Sequence, residues 1–250
     1  MDLKKIIFSA TGGTEKVADI LIKGLDESAE KIDLLDRNRE FSKICLQKDD
    51  VCMLAVPSYG GRVPKEAAER IARIKGNGAK AILLVVYGNR EYDDTLLELK
   101  EVAKKSGFLP VVAVAAVAEH SIMHQFAKGR PDKQDREELL SYVQFIRERI
   151  ENPKPFKVPG KKPYRAYGKI PLKPQIKRTC NHCGKCAKEC PAGAISMGEY
   201  IKLDKNLCIS CMRCVAVCPR HARKLSPVLL KLASHKLKKV CRKRKKNEIY

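Results

Sequence analysis

Eight of the 11 cysteines in this 250-residue chain occupy two stretches of identical spacing, Cys180-x-x-Cys183-x-x-Cys186-x-x-x-Cys190-Pro191 and Cys208-x-x-Cys211-x-x-Cys214-x-x-x-Cys218-Pro219. The second copy follows the first at a constant offset of 28 residues. Thiolates are soft metal ligands. Three of them at every third position share one tight loop, whose backbone N–H groups point at enclosed sulfide. The fourth begins a helix or turn that the proline ends. Such a donor set suits an iron–sulfur cluster. Zinc sites use cysteine pairs divided by longer spacers, so the run of three argues against zinc. Disulfides are disfavoured too, because "MDLKKIIFSATGG" lacks the apolar stretch of a secretory signal and a cytoplasmic chain keeps its thiols reduced. His182 and His221 lie beside these cysteines as expected exposed neighbours. Cys45 and Cys52 read as core thiols, and Cys241 falls in a basic tail.

A second set of residues that could do chemistry lies in three loops of the first half. Ser9-Ala10-Thr11-Gly12-Gly13-Thr14 offers hydroxyls and free N–H groups at the start of a helix, which suits an anion. It has neither the Gly-Lys-[Ser/Thr] ending of an ATP-binding loop nor the dinucleotide-binding spacing. Pro57-Ser58-Tyr59-Gly60-Gly61-Arg62-Val63-Pro64 and Tyr87-Gly88-Asn89-Arg90-Glu91-Tyr92-Asp93-Asp94 set tyrosines beside glycines, as a flat ring would require.

Loops of this kind need a rigid scaffold. Apolar strands are predicted at 4–10, 50–57, 79–88 and 109–119, with a further strand at "KIDLLD". Amphipathic helices are predicted between them, and a last helix from about Asp132 to Ile150. Continuous apolar strands alternating with helices make a parallel sheet covered on both faces. Ligands then bind beyond the carboxyl ends of the strands, where all three loops fall.

The three loops resemble those of the flavodoxin family, and the resemblance covers residues 1–150. It implies FMN, with Ser9, Thr11, Gly12, Gly13 and Thr14 on its phosphate. Pro57, Ser58, Tyr59, Gly60 and Gly61 would approach one side of the ring, and Gly88, Asn89 and Tyr92 its other side or edge. Gly13 departs from that family, where asparagine is common. Residues 178–225 resemble the bacterial two-cluster ferredoxins, in which the fourth cysteine of each motif serves the other cluster. That implies Cys180, Cys183, Cys186 and Cys218 for one [4Fe–4S] cluster and Cys208, Cys211, Cys214 and Cys190 for the second. The whole is similar to flavodoxin–ferredoxin fusion proteins of anaerobic prokaryotes (EFR-type ferredoxins). The implied fold is α/β, a flavodoxin-like five-stranded parallel sheet with helices on both faces plus a small α+β ferredoxin-like domain. The implied function is electron transfer through two clusters and FMN.

Charge divides the chain. Residues 1–150 hold 25 Lys and Arg against 24 Asp and Glu, whereas residues 151–250 hold 26 against 5. The expected segments are 1–151, flavodoxin-like; 152–178, a connector with six prolines in 151–179; 179–225, the cluster domain; and 226–250, a solvated basic tail. Phe156, Tyr164 and Tyr167 predict a connector that packs along a domain. The basic half fits an acidic redox partner such as a ferredoxin, flavodoxin or reductase. No catalytic constellation, nicotinamide fingerprint or membrane-spanning run is present in the sequence. Two other readings remain: an FMN-dependent reductase of a small substrate fed by the clusters, and an iron–sulfur sensor that binds nucleic acid through its basic half.

Overall fold

The computed structural model describes residues 3–25, 28–168 and 170–250. Five parallel strands form the main sheet: β1 (Leu3–Ile7), β2 (Ala29–Asp33), β3 (Val51–Pro57), β4 (Lys80–Tyr87) and β5 (Leu109–Val117), in the spatial order β5-β4-β3-β1-β2. This 2-1-3-4-5 order is the flavodoxin-like winding, with its switch point between β1 and β3. Strands β3, β4 and β5 are buried along almost their whole length, as their unbroken Val, Ile, Leu and Ala runs require. One face packs beneath α2 (Lys65–Ile71) and α3 (Thr95–Lys105) around Phe8, Phe41, Leu54 and Leu83. The other packs beneath α1 (Gly13–Gly24), α4 (Lys133–Ser141) and α5 (Val143–Glu151) around Ile7, Leu21, Met53 and Leu84.

The predicted helix from Asp132 to Ile150 is two helices that meet at Tyr142, whose hydroxyl donates to the Asn247 carbonyl at 2.8 Å. Asp132 caps the first reciprocally with Asp135. The connector lies along α3. Phe156 packs against Lys100 and Arg149, while Tyr164 and Tyr167 cover the Arg62 guanidinium at 5.0 and 4.1 Å. Arg62 in turn is paired with buried Glu98 at 2.7 Å.

Residues 175–224 form a small repeat of α6 (Lys185–Lys188) and α7 (Arg213–Ala216) with two ribbons, β6 (Gln175–Ile176) against β9 (Arg223–Lys224) and β7 (Ile195–Ser196) against β8 (Lys202–Leu203). The repeat extends to the backbone. His182, Gly184 and Gly193 have φ of 56, 73 and 61°, and their counterparts 28 residues on, Ser210, Met212 and His221, have 55, 63 and 47°.

The basic stretch 236–246 is largely exposed, as expected, but residues 226–250 pack back on the first domain rather than trailing from the cluster domain. Helix α8 (Pro227–Lys238) lays Leu230, Ala233 and Leu237 against Ile122, Met123 and Phe126. The chain then returns to the first domain as β10 (Glu248–Ile249), antiparallel to β5 with Glu248 opposite Ala115 and Ile249 opposite Val114. The parallel sheet thus gains a sixth, antiparallel edge strand. Among the remaining cysteines, Cys52 is buried as expected, Cys45 is exposed, and Cys241 is buried within the segment read as solvated.

Candidate functional site

Beyond the carboxyl ends of β1, β3, β4 and β5 lies an open cleft holding about 680 Å³ of free space, mouth included. Ser9, Thr11, Gly13 and Thr14 line it at the start of α1. Gly12 is the N-cap of α1 at φ 88°, a conformation that glycine adopts without strain. Ser9 is committed to the fold, its hydroxyl accepting from the Glu15 N–H at 3.0 Å. A β-carbon at Gly13 would lie in ordinary van der Waals contact, 3.4 Å from that of Ala118.

The second loop is a tight hairpin. Tyr59 and Arg62 exchange backbone hydrogen bonds of 3.0 and 3.3 Å, with Gly60 and Gly61 both at positive φ between them. Pro57, Ser58, Tyr59 and Gly60 reach the cleft. Gly61 instead faces the Asp93 carboxylate, which a β-carbon would strike. Burial pushes the Tyr59 hydroxyl well above its ordinary pKa, and it stays neutral.

From the third loop only Tyr87 and Gly88 reach the cleft. The expectation that Asn89 and Tyr92 face a ring is corrected. Asn89 donates to the carbonyls of Cys241 and Lys243, each at 2.9 Å, and accepts from the Lys245 N–H at 3.0 Å. The Tyr92 hydroxyl donates to Glu248 at 2.7 Å and meets that of Tyr250 at 2.8 Å. The returning C-terminal segment claims both residues.

Sequence reasoning missed the loop after β5, where Glu119, His120, Ser121 and Ile122 line the cleft, and two further lining residues, Ile170 and Ser210. The position of the β5 loop was available as a signal, because every parallel strand ends at the same sheet edge. His120 is buried and fixed: its Nδ1 accepts from the Ile122 and Met123 N–H groups at 3.1 and 3.2 Å. Burial lowers its pKa to about 4, so the ring is neutral at pH 7 with its proton on Nε2. Gly88 has to be small beside it, as a β-carbon would lie 2.7 Å from the ring.

The eight motif cysteines ring two separate cavities. Cys180, Cys183, Cys186 and Cys218 line one, and Cys190, Cys208, Cys211 and Cys214 line the other. Three thiols of one motif are thus joined by the fourth of the other. Among the described residues, no three His, Cys, Asp or Glu side chains converge on the position of a single ion. Backbone N–H groups already serve the fourth thiols, Ala194 to Cys190 at 3.3 Å and Ala222 to Cys218 at 3.2 Å. The Arg223 guanidinium donates to Cys186 at 3.4 Å. Residues 182, 184, 210 and 212 hold the left-handed backbone conformation from which anion-binding nests are built. Burial pushes the Cys211 and Cys214 thiols up to about 12, so taking up metal must displace protons there. These donors fit clusters well.

The second thiol cavity adjoins the cleft. Ser210 lines both, Cys211 joins the core cluster against which Tyr59 packs, and Arg213 reaches the Ala10 carbonyl at 3.4 Å.

Residues 179–222 match the family described as "4Fe-4S dicluster domain". Ferredoxin-2 of Chlorobaculum tepidum is 42% identical over 52 residues, which cover 18% of this chain and 84% of that protein. One component of an ion-translocating oxidoreductase complex from Methanosarcina acetivorans is 49% identical over 47 residues, 18% of either chain, so this chain spans under a fifth of that relative. A solved flavodoxin of Streptococcus pneumonia TIGR4 superposes on 58% of this chain and 98% of its own, with 19% identity and a TM-score of 0.41. No helix among the described residues is long and apolar enough to cross a membrane.

Proposed function

The chain belongs to the ferredoxin family through its C-terminal part, and on that premise we propose that it passes electrons between two [4Fe–4S] clusters and an FMN held in the cleft. Cys180, Cys183, Cys186 and Cys218 hold one cluster, and Cys208, Cys211, Cys214 and Cys190 the other. When bound, each cluster supplies a one-electron carrier and FMN a carrier of one or two. The loop from Ser9 to Thr14 takes the phosphate through the Thr11 and Thr14 hydroxyls and the N–H groups of Gly12, Gly13 and the first turn of α1. Tyr59 and Gly60 border the ring on one side and Gly88 on the other. The Nε2–H of His120 is a fixed neutral donor.

The observation that carries this reading is the shared wall at Ser210, which brings one thiol cavity against the cleft within a single fold. A reductase acting on a small substrate needs open space over the ring. The cleft is open and is lined by Ile170 and Ser210 beside the strand-end loops, so a small-substrate reductase stands as the second reading. The +22 charge, nearly all of it in the last hundred residues, fits an acidic redox protein as partner. A reducing compartment such as the cytoplasm suits the free thiols.

Anaerobically reconstituted protein is expected to hold about eight iron and eight sulfide per chain and to bind FMN more tightly than riboflavin. Thr11→Ala with Thr14→Ala should weaken FMN at least tenfold (about 1.4 kcal/mol) and leave riboflavin nearly unchanged. Stoichiometric zinc in place of iron, or equal losses for both flavins, would overturn the reading.

A further inference from the structure

The two thiol cavities differ in their surroundings, and the difference orders them. The cavity of Cys190, Cys208, Cys211 and Cys214 faces inward: Cys211 is packed into the core of the first domain, and Ser210, only 3% exposed, separates it from the cleft. Arg213, which lines it, is paired with Glu189 at 2.6 Å, and the Lys173 ammonium is held by the Cys208 carbonyl and the Ser210 hydroxyl. The cavity of Cys180, Cys183, Cys186 and Cys218 faces outward. Cys183 is exposed, and Cys180 and Cys218 are partly so.

Its rim is cationic. Lys185, Arg220 and Arg223 line this cavity and no carboxylate does. Lys177, Arg178, Lys185, Arg220 and Lys224 are exposed, and none belongs to an ion pair of the described residues. An apolar point stands among them: Met197 is 47% exposed, with its Cε 3.6 Å from where a β-carbon on Gly184 would sit. Glu199 is the nearby exposed acid in the turn between β7 and β8, while Asp204 is occupied by the N–H of Asn206 at 2.7 Å. A small apolar centre with a single-signed rim suits a weak, steered redox encounter.

In the other basic region Lys236, Lys238 and Lys239 are exposed too, but they line neither thiol cavity, and the residues that follow them are engaged. Arg244 is paired with Asp132 at 2.7 Å and Lys245 with Glu91, and the carbonyls of Cys241 and Lys243 are held by Asn89. Those residues bind the C-terminus to the first domain.

We propose that the Cys180/Cys183/Cys186/Cys218 site is the outer terminal of the electron path and that the cationic surface around Cys183 docks an acidic redox protein, the other site being the inner relay to the cleft. This rests on the two-cluster, FMN-linked reading above. Electron transfer weakens steeply with distance, so a partner seated over Cys183 reaches the outer site first, and the inner site spans the remaining gap to the cleft.

The test uses full-length reconstituted protein and, as probe, a reduced ferredoxin of net negative charge in anaerobic stopped flow. Lys177→Glu with Arg178→Glu and Lys224→Glu should lower the second-order rate at low salt by tenfold or more, at unchanged iron content. Lys236→Glu with Lys238→Glu and Lys239→Glu should change it less than twofold. Hydrogen–deuterium exchange with the probe bound should protect 177–188 and 219–224. If the α8 variant slows the rate as much, or protection falls on α8 instead, the docking face is wrong while the acidic partner stands. A wild-type rate that ignores salt would remove the acidic partner and this face with it. Loss of FMN or of iron from the wild-type protein would mark failure of the underlying reading.

Discussion

His120 owes its state to where the chain folds over it. Two backbone N–H groups occupy Nδ1, and burial opposes a second proton on the ring. With the folded pKa at about 4, the unfolded chain binds the extra proton first as pH falls below the ordinary value of roughly 6.5. Stability contributed by the neutral ring is therefore full above the unfolded value and is lost as pH drops from it toward 4. Between pH 7.5 and 5.5 the wild type should lose roughly 1.4 kcal/mol that His120→Gln does not. Denaturant titrations of both proteins at the two pH values check this, and parallel losses would show that His120 is not held neutral.

The C-terminal strand does more than its two residues suggest. It covers the free edge of β5, which would otherwise present unpaired backbone groups. Asn247, 4% exposed, accepts from the Val117 N–H at 2.9 Å and donates to Glu138 at 2.6 Å and to buried Asp135 at 3.2 Å. Asp135 also receives the Arg130 fork at 2.5 and 2.8 Å. Unpaired buried polar groups cost about 1–3 kcal/mol each. Deleting residues 247–250 should thus destabilise the first domain by about 3 kcal/mol or more, and Asn247→Ala alone by about 2 kcal/mol. Chemical denaturation followed by far-UV circular dichroism measures both. A deletion that leaves the midpoint unmoved would show that the segment is not part of the fold in solution.

At the scale of the whole molecule, the proposed electron transfer has an internal and an external leg. The internal leg runs between parts already bound together. Arg70 donates to the carbonyls of Leu34 at 2.6 Å and Pro191 at 2.5 Å, Lys173 holds the Cys208 carbonyl, and Tyr59 packs toward Cys211. These contacts are short and partly buried, and salt screens them little. The external leg depends on exposed charge and fades beyond a Debye length of about 10 Å at 0.1 M salt. Raising salt from about 0.02 to about 0.5 M should slow reduction by an acidic ferredoxin at least tenfold and change the cluster-to-FMN step less than twofold. Stopped-flow traces at two wavelengths separate the legs. An internal step that slows in parallel would mean that the domains separate and re-dock in each cycle.

Local spacing determined much of this protein. The cysteine pattern and its 28-residue offset specify two thiol sites, and even the left-handed backbone positions repeat at that offset. Alternating apolar runs and helical periods specify the parallel sheet, and the loops after β1 and β3 reach the cleft largely as their composition requires. What those patterns do not encode is contact between distant segments. Asn89 and Tyr92 look like ring contacts until residues 241–250, more than 150 positions later, arrive beside them. A two-residue strand is too short to have a period, so β10 is invisible in the sequence. The arrival of Ile170 and Ser210 at the cleft depends on how the small domain sits against the large one. Docking of that kind is settled by shape, burial and the pairing of single polar groups across the interface, and only the tertiary structure decides it.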